Sequence, residues 1–232
     1  MNEMDETLAG RLQAAGHALG MELDVVQIGG LLTYLSLLQR WNATYNLTAV
    51  RDPLGMLTQH LVDCLALLPP LRRHLETKGE APHRLLDVGS GGGLPGVVVA
   101  LLQPALDITC VDAVGKKAAF VQQVAGQLQL ANLHAVHVRV ERLKARSFDV
   151  VTSRAFASLA DFTRLTHEHL ADDGVWLAMK GRVPHDEMAA LPADIEVFHV
   201  EPLAVPDLDA QRCLVWMRPA VATSRQDRSA RG

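Results

Sequence analysis

The chain has 232 residues, 49% hydrophobic and 21% charged. That is enough to bury one large core or two small ones, and it excludes a disordered, collagenous or coiled-coil chain. The 22 Lys and Arg against 26 Asp and Glu leave a net charge of −4, which on its face argues against a nucleic-acid binder. Cys64, Cys110 and Cys213 are odd in number, far apart and never in a C-x-x-C pair; this excludes a disulfide framework and a zinc knuckle and fits a reducing cytoplasm.

The amino terminus, MNEMDE, is acidic where a secretory signal is basic, and no apolar run approaches the ~20 residues that span a bilayer. Val25, Ile28, Leu32, Leu35 and Leu38 recur at spacings of three and four, which predicts an amphipathic helix from Asp24 to about Ala43. Gly29 and Gly30 each cost that helix ~1 kcal/mol and argue for a later start. A second helix is expected from Pro53 to Leu68, opened by its proline and stopped by Pro69 and Pro70. The polar stretch Arg72 to His83, with Gly79 and Pro82, reads as a linker, so about 80 residues of helical preface precede the first strand.

From Arg84 the period changes. Leu85 to Val88 is a short apolar run followed by glycines, a helix is expected from Pro95, a strand over Ile108 to Asp112 and a helix from Lys116 to Leu130. Further strands are predicted at Ala135 to Val140, Phe148 to Thr152 and Val175 to Met179, with a helix over Leu159 to Leu170. Short buried strands alternating with helices make a parallel sheet. After a short helix around Asp186 to Leu191, Glu196 to Leu203 and Cys213 to Met217 face each other across Pro206, Asp207 and Asp209, which predicts a terminal antiparallel hairpin. The chain thus divides into a helical extension (1–83), one α/β domain (84–218) and a flexible basic tail (219–232) carrying Arg225, Arg228 and Arg231 against Asp227.

The strongest local signal is Asp87-Val88-Gly89-Ser90-Gly91-Gly92-Gly93-Leu94-Pro95-Gly96, a glycine-rich turn between a strand and a helix. Glycines let a ligand approach main-chain N–H groups, and a helix amino terminus favours an anionic group. Asp112, 21 residues after Gly91 and at the end of the next strand, is placed to accept from ribose hydroxyls. Two nucleosides compete. Gly91-x-Gly93-x-x-Gly96 has the dinucleotide form, whereas Asp87-x-Gly89-x-Gly91-x-Gly93 has the form used by S-adenosylmethionine-dependent methyltransferases. Asp87 would repel a pyrophosphate and suits the amino group of a methionine moiety, so the second form is favoured. The 120 residues after Asp112 are about enough to finish one sheet, and too few for a separate hydride-acceptor domain.

A closer match comes from seven blocks in order. They are Trp41-Asn42 with Tyr45-Asn46-Leu47-Thr48; His60-Leu61-Val62-Asp63; Leu86 to Gly96; Asp112 with Gly115-Lys116-Lys117; Arg139-Val140-Glu141; Ser153 to Leu159; and Lys180-Gly181. Together they resemble the ribosomal RNA small subunit methyltransferase G family, also called glucose-inhibited division protein B, from about residue 30 to about 217. The resemblance implies a Rossmann-like class I fold, with a mostly parallel seven-stranded sheet ending in an antiparallel hairpin. It implies methyl transfer from S-adenosyl-L-methionine to N7 of a guanine in 16S ribosomal RNA, with the RNA or the 30S particle as partner. A cytoplasmic monomer is expected, without metal or membrane. Carried over by position, Gly89 and Leu94 contact the cofactor, Val140 and Glu141 lie beside the adenine, and Arg154 faces the cofactor site; Gly91 and Asp112 complete that set. Cys64 departs from the family's usual Ser after Asp63.

Absences agree with this chemistry. Methylation of an exocyclic amine goes with an N/D-P-P-Y/F/W turn after strand four, where this chain has Ser153-Arg154-Ala155-Phe156. Carbon methylation needs a cysteine nucleophile, and none of the three cysteines falls in an expected active-site loop. Guanine N7 has an in-plane lone pair and no proton, so it attacks the sulfonium methyl directly and no catalytic acid or base is assigned. Asn46 and Lys180 are candidate substrate contacts, and Trp41, Tyr45 and Phe156 are candidate stacking partners for an extruded base. His134 and His137 have no third ligand in view and are read as surface or packing residues. Basic residues cluster at Arg139, Arg142, Lys144 and Arg146, so a local basic rim is expected beside a negative net charge. The rival readings are a methyltransferase of the same fold acting on a small molecule and a nucleotide-binding module without catalysis.

Overall fold

The computed structural model describes residues 3–80, 82–145, 147–154, 156 and 158–220. The residues 221–232, most of the expected basic tail, lie outside them, as does Arg146 of the basic cluster. Before the sheet come α1 (Glu3–Ala18), α2 (Val25–Tyr45), α3 (Pro53–Met56), a π-helical stretch (Leu57–Val62), α4 (Asp63–Leu65) and α5 (Leu68–Glu76). Asp24 caps α2 with its carboxylate, which accepts the N–H groups of Val26 and Gln27 at 2.8 Å each. The Gln27 side chain returns to the Asp24 N–H at 3.1 Å. This box starts the helix at Val25 in spite of the two glycines. Gly30 is explained by crowding, since a Cβ there would come within 2.8 Å of the Leu101 side chain where α2 crosses α6.

Pro69 and Pro70 do not end a helix; they open α5, because a proline fits the first helical turn where no N–H is needed. The expected linker from Arg72 is therefore helical to Glu76, with Leu68 and Leu71 buried beneath it. Taken together, Pro53–Glu76 is, among the described residues, one helix long and on average apolar enough to cross a membrane, although Gln59, His60 and Asp63 interrupt any continuous apolar run. Its most apolar window is 72% buried inside the fold.

The domain proper alternates β1 (Arg84–Val88), α6 (Gly96–Leu102), β2 (Asp107–Asp112), α7 (Gly115–Gln127), β3 (Leu133–His137), β4 (Phe148–Ser153), α8 (Leu159–Thr166), β5 (Leu170–Lys180), α9 (His185–Ala189), β6 (Ile195–Pro202) and β7 (Cys213–Pro219). The strands form one sheet in the order β3-β2-β1-β4-β5-β7-β6. The strands β1 to β5 pair in parallel, and β7 is antiparallel to both β5 and β6. The expected sheet and hairpin are both present. Alternation along β1 sends Leu85 to a core shared with α2, α6 and α7, and Leu86 and Val88 to a second core under α8. The helical extension is part of the first core, so it is built into the sheet's packing.

One boundary alters the site. The third strand ends at His137, opposite Asp112, where β2 itself stops. With no strand to pair beyond that point, Val140–Arg142 turns into a 3-10 helix, so Val140 and Glu141 follow the strand and do not end it.

Candidate active site

The glycine turn leaves β1 at Val88. Gly89, Gly91 and Gly93 have φ of 66°, 58° and 84°, a region that costs a residue with a side chain ~1–2 kcal/mol. The glycines differ in what surrounds them. A Cβ on Gly89 would meet nothing within 4 Å, whereas one on Gly93 would run into Val97 and one on Gly96 into the Cys110 sulfur. Gly89 thus faces open space, and the other two allow α6 to pack closely. The turn is held from both sides. Asp112 accepts the N–H of Gly91 through Oδ2 at 3.0 Å and that of Val114 through Oδ1 at 2.8 Å. From the extension, the buried Tyr34 hydroxyl donates to the Gly92 carbonyl at 2.6 Å.

Asp87 corrects a sequence expectation. Period-two alternation turns it into the first core, where it is fully buried under the start of α6. Its Oδ2 accepts the Gly96 N–H at 2.9 Å, the Cys110 thiol lies at 3.8 Å, and Oδ1 has no partner. Burial pushes this carboxyl up to about 7, against the pull of the Gly96 N–H and of Arg154. Sealed below the turn, Asp87 braces the loop and does not reach a ligand's amino group.

Two cavities meet at Gly89. The larger, about 490 Å³, is lined by the glycine turn with Leu94 and Lys117, by Thr48, His60 and Asp63 of the extension, and by Arg154, Lys180 and Arg212. The smaller, about 170 Å³, is lined by Asp112, Val140, Glu141 and Phe156. The sequence-predicted residues divide accordingly: Gly89, Gly91, Leu94, Arg154 and Lys180 border the first, and Gly89, Asp112, Val140 and Glu141 the second. Asn46 borders neither. It is the exposed left-handed cap of α2, with φ 51°, and its Oδ1 accepts from Arg51 at 3.2 Å. Trp41 packs on Phe120 with ring centroids 5.3 Å apart and on the exposed Tyr45 at 4.9 Å, and Phe156 packs on Phe162 at 5.3 Å while also lining the smaller cavity.

The wall opposite the glycine turn carries residues that sequence reasoning did not single out. Asp63, buried on α4, accepts from Arg154 through Oδ2 and from Arg212 through Oδ1, both at 2.8 Å. Arg154 also donates to the Gln59 carbonyl at 3.3 Å. One carboxylate thereby joins the extension, the turn after β4 and the start of β7 around one cavity. Lys180 pairs with Glu187 at 2.8 Å, and beyond it a groove of about 890 Å³ continues past Arg182 and His185. His60 contacts the Thr48 hydroxyl through Nε2 at 2.7 Å. Burial, with Arg154 second, lowers its pKa and keeps the ring neutral. In the sequence, His60 and Asp63 carry only the pattern His60-Leu61-Val62-Asp63, and Arg212 only its position ahead of an apolar run.

An open sheet in this order binds its ligand at the carboxyl edge, here between the glycine turn after β1 and the carboxylate ending β2. The open space over Gly89, between the two cavities, fits a nucleoside that carries an amino-acid arm. Sheet, turn and paired cavities define a class I S-adenosylmethionine-dependent methyltransferase. The sequence pattern described as rRNA small subunit methyltransferase G, or GidB, matches residues 27–215. Ribosomal RNA small subunit methyltransferase G of Acidovorax ebreus is 62% identical over 213 residues, 90% of this chain and 94% of that protein. Its namesake from Bordetella avium is 54% identical over 96% of this chain and all of that protein. The chain belongs to the rRNA small subunit methyltransferase G family.

Solved structures agree on the fold. TrmN from Thermus thermophilus matches with a TM-score of 0.51 at 17% identity, covering 71% of this chain and 53% of that one. A SAM-dependent methyltransferase from Aquifex aeolicus matches with a TM-score of 0.50 at 14% identity, over 72% of this chain and 98% of that one.

Proposed function

We propose that the protein transfers a methyl group from S-adenosyl-L-methionine to N7 of a guanine in 16S ribosomal RNA. The observation that carries this reading is the junction of two cavities at Gly89, one beside Asp112 and Glu141, the other walled by cationic side chains. Asp112 would take the ribose hydroxyls, Val140 and Glu141 the adenine, and Gly89, Gly91 and Leu94 the methionine arm, with Arg154 facing the cofactor from the opposite wall of the same cavity. The bound cofactor supplies an electrophilic methyl on a sulfonium. Guanine N7 brings its own lone pair and no proton, so the chain needs no general base. Its work is to bind both partners, align them and exclude water.

Lys117, Arg154, Lys180 and Arg212 line the large cavity. They give an acidic protein a local surface for phosphates, and the groove running on past Arg182 suits a polymer better than a metabolite. Among the described residues no group of three metal-ligating side chains comes together. The protein acts as a cytoplasmic monomer on the RNA or on the 30S particle. The experiment is transfer of labelled methyl to 16S RNA and 30S subunits from cells lacking the enzyme, with the product base identified by mass spectrometry. Labelled 7-methylguanosine supports the reading; label in metabolite extracts and none in RNA overturns it.

A further inference from the structure

We propose that Tyr34 of the helical extension is a positioning residue for the cofactor, holding the glycine turn by the Gly92 carbonyl in the form that binds S-adenosylmethionine; this rests on the assignment of that turn to the cofactor above. From Gly89 to Gly93 every residue but Ser90 is glycine, and glycine loses more conformational freedom on ordering than any other residue. Such a turn presents a fixed surface only where other elements tether it.

The sheet tethers the first half. The Val111 carbonyl accepts the N–H groups of Gly89 at 2.9 Å and Ser90 at 3.3 Å, and Asp112 accepts that of Gly91 at 3.0 Å. In the second half, the N–H groups of Gly93 and Leu94 return to the turn's own Ser90 carbonyl. The bond that reaches this half from another element is the one from Tyr34 to Gly92, at 2.6 Å. A carbonyl only accepts, so the direction of that bond is fixed. Tyr34 is fully buried. Burial raises its pKa well above the ordinary phenol value, so the hydroxyl keeps the proton that it donates.

Tyr34 belongs to a stripe of α2 that fits this role. Gly30, Tyr34 and Leu38 are four apart and so share one helix face. A Cβ on Gly30 would stand 2.8 Å from the Leu101 side chain of α6, and one on Gly92 would stand 3.0 Å from that of Leu38. One stripe of the extension therefore lies against both the turn and the helix that the turn opens. Gly92 in its turn borders the large cavity, which Tyr34 does not. The hydroxyl thus acts on the ligand's space through the peptide it holds. Without it the turn is free to take other forms, and affinity falls with the fraction that stays competent to bind.

The test uses the full-length protein, calorimetry with S-adenosylmethionine alone, and methyl transfer to 30S subunits from cells lacking the enzyme. Tyr34→Phe keeps the ring in the core and removes the hydroxyl. It is expected to raise the Kd and the KM for S-adenosylmethionine about tenfold, while kcat at saturating cofactor and the KM for the subunits hold. Leu12→Val thins the buried core under α1, the helix that packs on α2. It is expected to lower the urea midpoint and leave the cofactor affinity as it is. If Tyr34→Phe does not fold, Gly92→Ala decides the matter, because its Cβ points at Leu38 and forces the turn off α2; the same split between the two KM values is expected. An affinity equal to wild type in the folded variant, or an equal loss in Leu12→Val, overturns the proposal. Unchanged affinity in Gly89→Ala overturns the assignment of the turn instead.

Discussion

Asp63 and Arg212 lie 149 positions apart in sequence and 2.8 Å apart in the fold, and Arg154 shares the same carboxylate. Removing one member of a buried pair leaves the others uncompensated, at ~3–5 kcal/mol. Asp63→Ala is therefore expected to lose about 3 kcal/mol in urea unfolding and most methyl transfer. Arg212→Ala, whose guanidinium is partly solvated, should lose less stability and raise the KM for RNA more than the Kd for the cofactor. Equal unfolding midpoints for Asp63→Ala and wild type would show that the junction is not what holds the cavity wall.

Gly89 tests the cofactor cradle. Its positive φ makes Gly89→Ala cost ~1–2 kcal/mol of stability, and its Cβ would enter the open space over the turn. Calorimetry should show S-adenosylmethionine affinity reduced at least tenfold, about 1.4 kcal/mol, in a protein that still unfolds cooperatively. Unchanged affinity would place the methionine arm elsewhere.

The buried carboxyl beneath the turn sets a pH dependence. Asp87 keeps its proton up to about 7 in the folded state, against ~3.9 when unfolded. Between those values the folded state holds more protons, so stability falls as pH rises from about 4 to about 7 and is flat above. Asp87→Asn keeps an acceptor for the Gly96 N–H and cannot ionise. It should be more stable than wild type at pH 8, by at most about 4 kcal/mol, with the gap closing toward pH 4. A gap that is the same at pH 5 and pH 8 would contradict this.

The thiols should be silent. Cys64, Cys110 and Cys213 are buried, and burial pushes the Cys64 thiol up to about 12. A disulfide-exchange reagent should label none of the three in the native protein and all three after denaturation. Rapid native labelling of one equivalent would reopen the question of a cysteine nucleophile.

The strand-turn-helix around Gly89 was legible because glycines and short apolar runs signal locally. The terminal hairpin was legible for the same reason, from turn residues between two apolar runs. Pro69 and Pro70 misled, because a proline reads the same at the last residue before a break and at the first turn of a new helix. Asp87 misled because its place in the motif says nothing about which face of β1 it takes. Val140 was extended into a strand because the end of its neighbour, which sets the end of pairing, is a tertiary fact. His60, Asp63 and Arg212 meet only through folding.

Because β7 runs against the other strands, its first residue, and Arg212 just before it, stand at the edge where β1 and β4 finish. The order of synthesis then matters. A growing chain can complete the glycine turn and Asp112 when scarcely half made, but the guanidinium that closes the far wall is among the last groups to emerge. The site is thus unfinished until that late residue has been made. Premature stops between β5 and Arg212 leave the cradle facing Asp63 and Arg154 without the second guanidinium that shares their carboxylate.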